Sequence, residues 1–452
     1  MRILEKLFPP FVPGMLALAL FVGCSDGKKN APPPPPTPAF TVQPSSQAVH
    51  SADNATFSVA ATGDPAPSCT WERSNDSGNT WATVTGATSA TYTFKPLLVD
   101  DRARFRAKAT NSLGTATSNS AILSVSVSIY AAGWSMDVTA TKMAGYWKNG
   151  VWVGLPPLLK NWESVVNSLI VSGTDVYAAG HSHETSGAWI LQVAGYWLNG
   201  SWVGLPMLSG SLSSEVNSLV LSGSDIYAAG WSTNSSQYQI AGYWKNGNWV
   251  GLTPPNGSIS SLVNCIVVSG SDVYAAGDTY SAAGVSPGYW KNGTWVGLIG
   301  LSSSLGSTVR SLVVSGGDVY ASGYCKNSSG AVIPGYWKNG TWVSLAPSSG
   351  SIMSLFVSGN DVYATGCNTD GNGVQVAGYW KNGTWVNLPP FNATYPNGVV
   401  YSIALYGSDV YAAGCSADWN CNVPGYWKNG VWVGLPPLYA TYSSNVSSLI
   451  VQ

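Results

Sequence analysis

Charge is what this 452-residue sequence has least of. Asp, Glu, Lys and Arg make up 9% of it, against roughly 25% in ordinary soluble domains. The net charge is -1, so no electrostatic footprint for nucleic acid or an anionic membrane surface exists, and neither is expected as a partner. No carboxylate pair recurs and no nucleophile stands beside a His, which argues against an enzyme. The apolar run "MLALALFVGC" (Met15–Cys24) falls short of the about 20 residues that span a bilayer. What fills the surface instead is Gly, Ser, Asn, Tyr and Trp.

That short run follows Arg2 and Lys6, as in a signal peptide. Its ending, "FVGC", resembles the bacterial lipobox, with Phe21 where Leu is usual. The resemblance implies that residues 1–23 are removed and Cys24 is lipidated. Ser25 after it implies sorting to the outer membrane of a Gram-negative cell. The expected membrane contact is therefore a lipid anchor, and the protein an exported, outer-membrane or cell-surface lipoprotein. Residues 24–38, with "KKNAPPPPPTP", read as a stiff polyproline spacer.

Residues 39–127 show short alternating strands between turn signals, the pattern of a β-sandwich. "FSVAATGDPAPSCTW" and "DDRARFRAKATNSLG" resemble an immunoglobulin-like domain of the intermediate set. The resemblance implies that Trp71 is the buried core Trp and Phe105 holds the tyrosine-corner position. Val59 and Ala107 stand at the two disulfide positions, so packing alone supports the sandwich. "SNDSGNTW" (Ser74–Trp81) resembles the Asp box of propellers and sialidase-like proteins, but Asx-turn chemistry at Asp76 and Gly78 explains it as a hairpin turn.

From residue 128 to 452 one unit is written seven times. The Tyr of "VYAAG" recurs at Tyr130, Tyr177, Tyr227, Tyr274, Tyr320, Tyr363 and Tyr411, spaced 43 to 50 residues apart as in four-stranded propeller blades. Each unit offers strand A ("SLIVSG"), B ("VYAAG"), C ("GYWKN") and D ("xWVGL"). Asn-Gly between C and D predicts a type I′ hairpin, which sets two Trp directly opposite each other, as Trp290 with Trp295. Fourteen Trp are thereby assigned to scaffold, and a ring of sugar-stacking platforms is the competing reading. The Asp recurring in the A–B turn, as at Asp225 and Asp272, stands alone and reads as turn chemistry, not a metal ligand. Unit one lacks strand A and the chain ends in "SSLIVQ". An all-β chain follows: an immunoglobulin-like sandwich, then a seven-bladed β-propeller closed by the C-terminal strand. The units resemble bacterial "YWKNG" repeat proteins and, distantly, kelch-like propellers.

Function is expected where the copies disagree, on the variable B–C and D–A loops that share one face. The residue after the strand-B Gly is Trp134, His181, Trp231, Asp278 and Tyr324, then Cys367 and Cys415. Asn167, Asn217, Asn264 and Arg310 stand at the entrance of strand A, and Trp162, Trp189 and Trp419 add loop aromatics. Together these suit a glycan or peptide ligand at the mouth of a ring. Asp278 with His181 is the one candidate acid–base pair. "HSHE" (His181, His183, Glu184) lacks a third metal ligand and reads as a solvated loop. "NTDGNG" (Asn368–Gly373) imitates a calcium loop but has Tyr379 at its last ligand position. Cys415 with Cys421, and Cys325 with Cys367, are candidate disulfides in an exported protein, and Cys265 reads as buried and free. The expectation is a monomeric, cofactor-free, metal-free recognition or adhesion lipoprotein, with an envelope scaffold as alternative and a polysaccharide-active propeller enzyme as third.

Overall fold

The structure is a computed structural model that describes residues 36–301, 306–345, 350–418 and 422–452. Among these residues the chain is all-β apart from one 3-10 turn, Leu98–Asp100.

The first part is an immunoglobulin-like sandwich. Its larger sheet runs Gln47–His50, Ala121–Ser126, Arg104–Asn111, Ser68–Ser74, Ala82–Thr83, with Gly114–Thr117 beside Arg104–Asn111. Ala55–Ser58 pairs Thr91–Phe94 across the core. Alternation along each strand sends Phe57, Trp71, Phe105 and Leu123 inward, all fully buried. Val59 and Ala107 are buried with them, so apolar contact stands where a disulfide would. Asp76 closes its turn by accepting from Thr80 N, Thr80 Oγ1 and Ser74 Oγ, and these bonds hold its carboxyl far below the usual range.

The described residues of the repeat region form seven four-stranded antiparallel sheets, each ordered A-B-C-D. Sheet two is typical: Val165–Ser172, Asp175–Ser186, Trp189–Leu198, Ser201–Gly204. Sheet one takes its strand A from the other end of the chain. Ser444–Val451 pairs Ile129–Met136, with Ile450 opposite Tyr130 and Leu449 opposite Ala131.

The C–D hairpin, a nine-residue brick that reads "GYWKNGTWV" at Gly288–Val296, behaves as its chemistry demands. Asn292 (φ 50°) and Gly293 (φ 82°) take the two left-handed positions of the C–D turn, and Trp290 falls opposite Trp295. Across the seven copies the paired indoles lie 4.4–4.6 Å apart at 56–63°. The strand-C Gly beneath them is obligatory, since a Cβ on Gly288 would overlap the Trp295 ring. The Trp face of each sheet packs on the Tyr face of the sheet before it. Trp197 meets Tyr130, Ala132 and Leu155; Trp290 meets Tyr227, Ala229 and Leu252; and Trp147 of sheet one meets Tyr411, Ala413 and Leu435 of sheet seven.

The opposite face of the turns is cross-linked. The Asn of the C–D turn donates to the Asp of the A–B turn, as Asn246 Nδ2 to Asp225 Oδ1 at 2.7 Å. Lys245 Nζ takes the other oxygen at 2.8 Å while lying over the Tyr227 ring. The same set recurs at Asp272, Asp318, Asp361 and Asp409, so the recurring Asp ties two turns together.

Candidate functional site

Strand A carries a one-residue bulge in every sheet, at Asn167, Asn217, Asn264, Arg310, Met353, Tyr401 and Ser447. The bulge sets the carbonyl two residues before it against strand B. A Cβ there would overlap that oxygen, as Gly180 would overlap Val165 O, which is why "YAAG" ends in Gly. The extra side chain then crosses to the next sheet. Asn167 Nδ2 donates to Val216 O at 2.9 Å, Asn217 to Val263 O at 2.7 Å, and Asn264 to Val309 O at 2.6 Å. Ser447 Oγ does the same to Val166 O at 2.6 Å. The three amides expected to meet a ligand each hold a neighbouring sheet, because bulge geometry aims them at its carbonyl. Arg310 is exposed in the same row.

The residues after the strand-B Gly do come together with this row, but mostly under cover. His181, Trp231, Asp278, Cys367 and Cys415 are buried, and Trp134 and Tyr324 are half-buried. His181 Nδ1 lies 3.1 Å from Glu215 Oε1, which also accepts from Asn167 Nδ2 at 2.8 Å. Burial alone would raise Glu215, yet His181, Asn167 and Gln192 hold it below the usual carboxylate range. Asp278 accepts from Val309 N at 2.9 Å and Asn264 Nδ2 at 3.2 Å, and burial still pushes it up to about 7. Trp134 is overlain by Lys142 Nζ at 5.5 Å. Asp278 and His181 belong to sheets four and two, and each bonds its own neighbours.

One motif reading changes. "HSHE" is no solvated loop but the continuation of strand B, which runs to Ser186. His183 Nδ1 sits 2.8 Å from Glu163 O, and its ring lies 5.4 Å from Trp162. "NTDGNG" is a tight turn in which Asp370 Oδ1 accepts from Asn372 N and Val374 N. Cys325, Cys367 and Cys415 are free thiols, as are Cys69 and Cys265. Cys325 lies on the Trp face of sheet five, packed with Tyr274 and Leu298 of sheet four, whereas Cys367 lies on the Tyr face of sheet six, which turns away from sheet five, so they cannot pair. Cys265 Sγ donates to Leu312 O at 3.6 Å. Cys24, Trp419 and Cys421 lie outside the described residues.

The D–A loops carry what the sequence reading passed over. Trp147 Nε1 donates to Pro436 O, Trp197 Nε1 to Pro156 O, and Trp427 Nε1 to Pro389 O, so the strand-C Trp of each next sheet grips the loop before it. Two residues on, the loop is pinned again: Leu158 N donates to Ser182 Oγ, Leu208 N to Ser232 Oγ, Phe391 N to Ser416 Oγ and Leu438 N to Ser135 Oγ, at 2.8–3.1 Å. On these fixed backbones large apolar side chains face solvent: Leu158, Trp162, Phe391, Tyr395, Leu438 and Tyr439. Trp189, at the tip of the sheet-two hairpin, is 65% exposed. "LPPLLKNW", "LPPFNATY" and "LPPLYATY" spell this repeat within a repeat; only Trp162 and Trp189 were singled out from sequence.

Comparison with known proteins touches the sandwich. Residues 39–128 match a family described as "Domain of unknown function (DUF8696)". Endoglucanase C of Cellulomonas fimi is 37% identical over 89 residues, which are 20% of this chain and 8% of that protein. The chain thus spans under a tenth of that relative's length. Among solved structures, a chimeric titin Z1Z2 carrying a decorin peptide is 23% identical, over 21% of this chain and 98% of that one, with a TM-score of 0.17. Tandem Ig repeats of Dlar are 19% identical, over 21% and 50%, with a TM-score of 0.18.

Proposed function

We propose that residues 128–452 close into a seven-bladed β-propeller whose B–C/D–A loop face recognises an extracellular glycan or protein without catalysing a reaction. Ring closure is supported by the pairing of Ser444–Val451 with Ile129–Met136 and by Trp147 packing on sheet seven. In this reading the chain is a lipoprotein anchored through Cys24, with the proline-rich spacer and the sandwich holding the ring off the membrane.

One observation carries the recognition reading. The motif Trp of strand C are fully buried in all seven sheets, whereas large apolar side chains outside the motif are exposed on loops whose backbones are bonded at two points. Rigid, exposed aromatic anchors bind at low entropic cost. The test is a glycan array together with pull-down from envelope extract, using the full chain. Binding lost in Trp162→Ala and Phe391→Ala, but kept in Tyr406→Ala on the opposite face, is the expected result. Binding lost only in Tyr406→Ala would overturn it.

A second reading, an envelope scaffold, draws on a different feature. Leu97, Val99 and Tyr406 are exposed around a cleft between sandwich and ring, also lined by Ser51, Leu98, Gly173 and Gln452. That reading gains if the extract yields an envelope protein whose capture needs Val99. Polysaccharide turnover abolished by Asp278→Asn would displace both readings.

A further inference from the structure

Three of the fixed D–A loops occupy consecutive seams. Residues 388–397 join sheets six and seven, 435–443 join sheets seven and one, and 155–164 join sheets one and two. Each seam is gripped by its own Trp (Trp427, Trp147 and Trp197), so neighbouring loops are held in a fixed relation to one another. The second is tied to the sheet-one B–C turn as well, through Tyr442 Oη donating to Val138 O at 3.1 Å.

Each loop offers an exposed apolar residue after Pro-Pro and an exposed aromatic within the next four: Leu158 with Trp162, Phe391 with Tyr395, Leu438 with Tyr439. Beside them stand amide and hydroxyl groups such as Asn161, Thr394 and Thr441. Charge is almost absent. Loops 388–397 and 435–443 hold none, and in 155–164 Glu163 is engaged by Lys142 at 3.4 Å, leaving Lys160 as the lone cation. With one free cation across three loops, such a surface has little with which to neutralise a polyanion or match a charged protein rim. It matches a neutral polymer whose sugar rings present a C–H face to an aromatic and hydroxyls to amides.

We propose that these three loops form one continuous platform for an uncharged polysaccharide laid across seams six–seven, seven–one and one–two. This rests on the recognition reading above and names its ligand class. Three adjacent anchors take several residues of one chain together, so the contacts reinforce one another through effective concentration.

The experiment is native affinity electrophoresis of the full chain through gels containing hydroxyethyl cellulose, galactomannan or polygalacturonate. Retardation by at least one of the two neutral polymers, unchanged between 50 and 500 mM salt, is expected, with none by polygalacturonate beyond a salt-sensitive trace. Phe391→Ala with Trp162→Ala should weaken retardation at least tenfold, while Tyr406→Ala leaves it intact. The exposed sites keep the fold, which the melting temperature checks. Retardation by polygalacturonate alone, or neutral retardation untouched by the double variant, overturns the proposal. If the gels show nothing while the double variant abolishes capture of an envelope protein, the polysaccharide platform falls and the loop-face reading stands.

Discussion

Lys148 Nζ meets Asp53 Oδ1 at 2.6 Å, which makes a residue of the sandwich the partner of a residue of sheet one. In sheets three to seven the equivalent Lys pairs with the Asp of its own A–B turn. Sheet one has no such turn, because its strand A arrives from residues 444–451, and Asp53 fills the vacancy. Backbone bonds between Ser128 and Gln452, and Ser128 Oγ donating to Ser51 O at 2.6 Å, fix the same junction. The pair is about a third exposed on both sides, so its own worth is under about 1 kcal/mol. Asp53→Ala should therefore leave the melting temperature nearly unchanged while widening the distribution of orientations between the sandwich and the repeat region seen by small-angle X-ray scattering. An unchanged distribution would mean the backbone bonds suffice.

The two Trp of one brick are unequal. Trp290 is fully buried against sheet three, whereas Trp295 is half-buried. Trp290→Ala should cost about 3–5 kcal/mol in urea unfolding, the range for truncating a buried indole. Trp295→Ala should cost less than half of that. Equal losses would show that the outer Trp carries as much of the seam as the inner one.

Asp278 predicts a pH dependence of stability. Its folded value, about 7, lies above the ordinary carboxylate value near 4, because burial disfavours the charge. The unfolded chain therefore gives up this proton first. The contribution is full below about pH 4, is lost as pH rises to about 7, and amounts to a few kcal/mol. Thermal melts between pH 4 and 8 should show a decline that Asp278→Asn flattens. An identical slope in the variant would show that Asp278 ionises in place at no cost.

Cys325, Cys367 and Cys415 should resist alkylation in the native protein at pH 8 and react fully in guanidinium. Burial raises each thiol, Cys415 to about 11, so little thiolate is available. Peptide mapping under non-reducing conditions should find no Cys325–Cys367 link, and finding one would contradict the facing directions described above.

The sequence made the bricks legible because their information is local. Asn-Gly fixes a turn, the turn fixes register, and register places Trp290 opposite Trp295. It hid the bulge at Asn167 and its counterparts, since a bulge is a mismatch in count between two strands and appears only once they pair. That is why three Asn looked free to meet a ligand when each was committed to the next sheet. His181 was misplaced for a related reason: its strand runs on through polar residues, because pairing with the strand-C residues up to Trp189 outweighs their weak strand preference. The loop aromatics were written plainly after each "LPP", but their exposure depends on the grip of a Trp from another sheet.

Sheet one waits for the chain to come around. Tyr130 and Ile450 belong to one ladder, yet more than 300 residues of synthesis separate them, as the Ser447 Oγ to Ala132 O bond, 315 positions apart, makes plain. Contacts that distant form last and slowly. During translation the opening strands would be left with a bare edge until residues 444–451 emerge, so a product stopped before them would carry its own mark for chaperones and proteases.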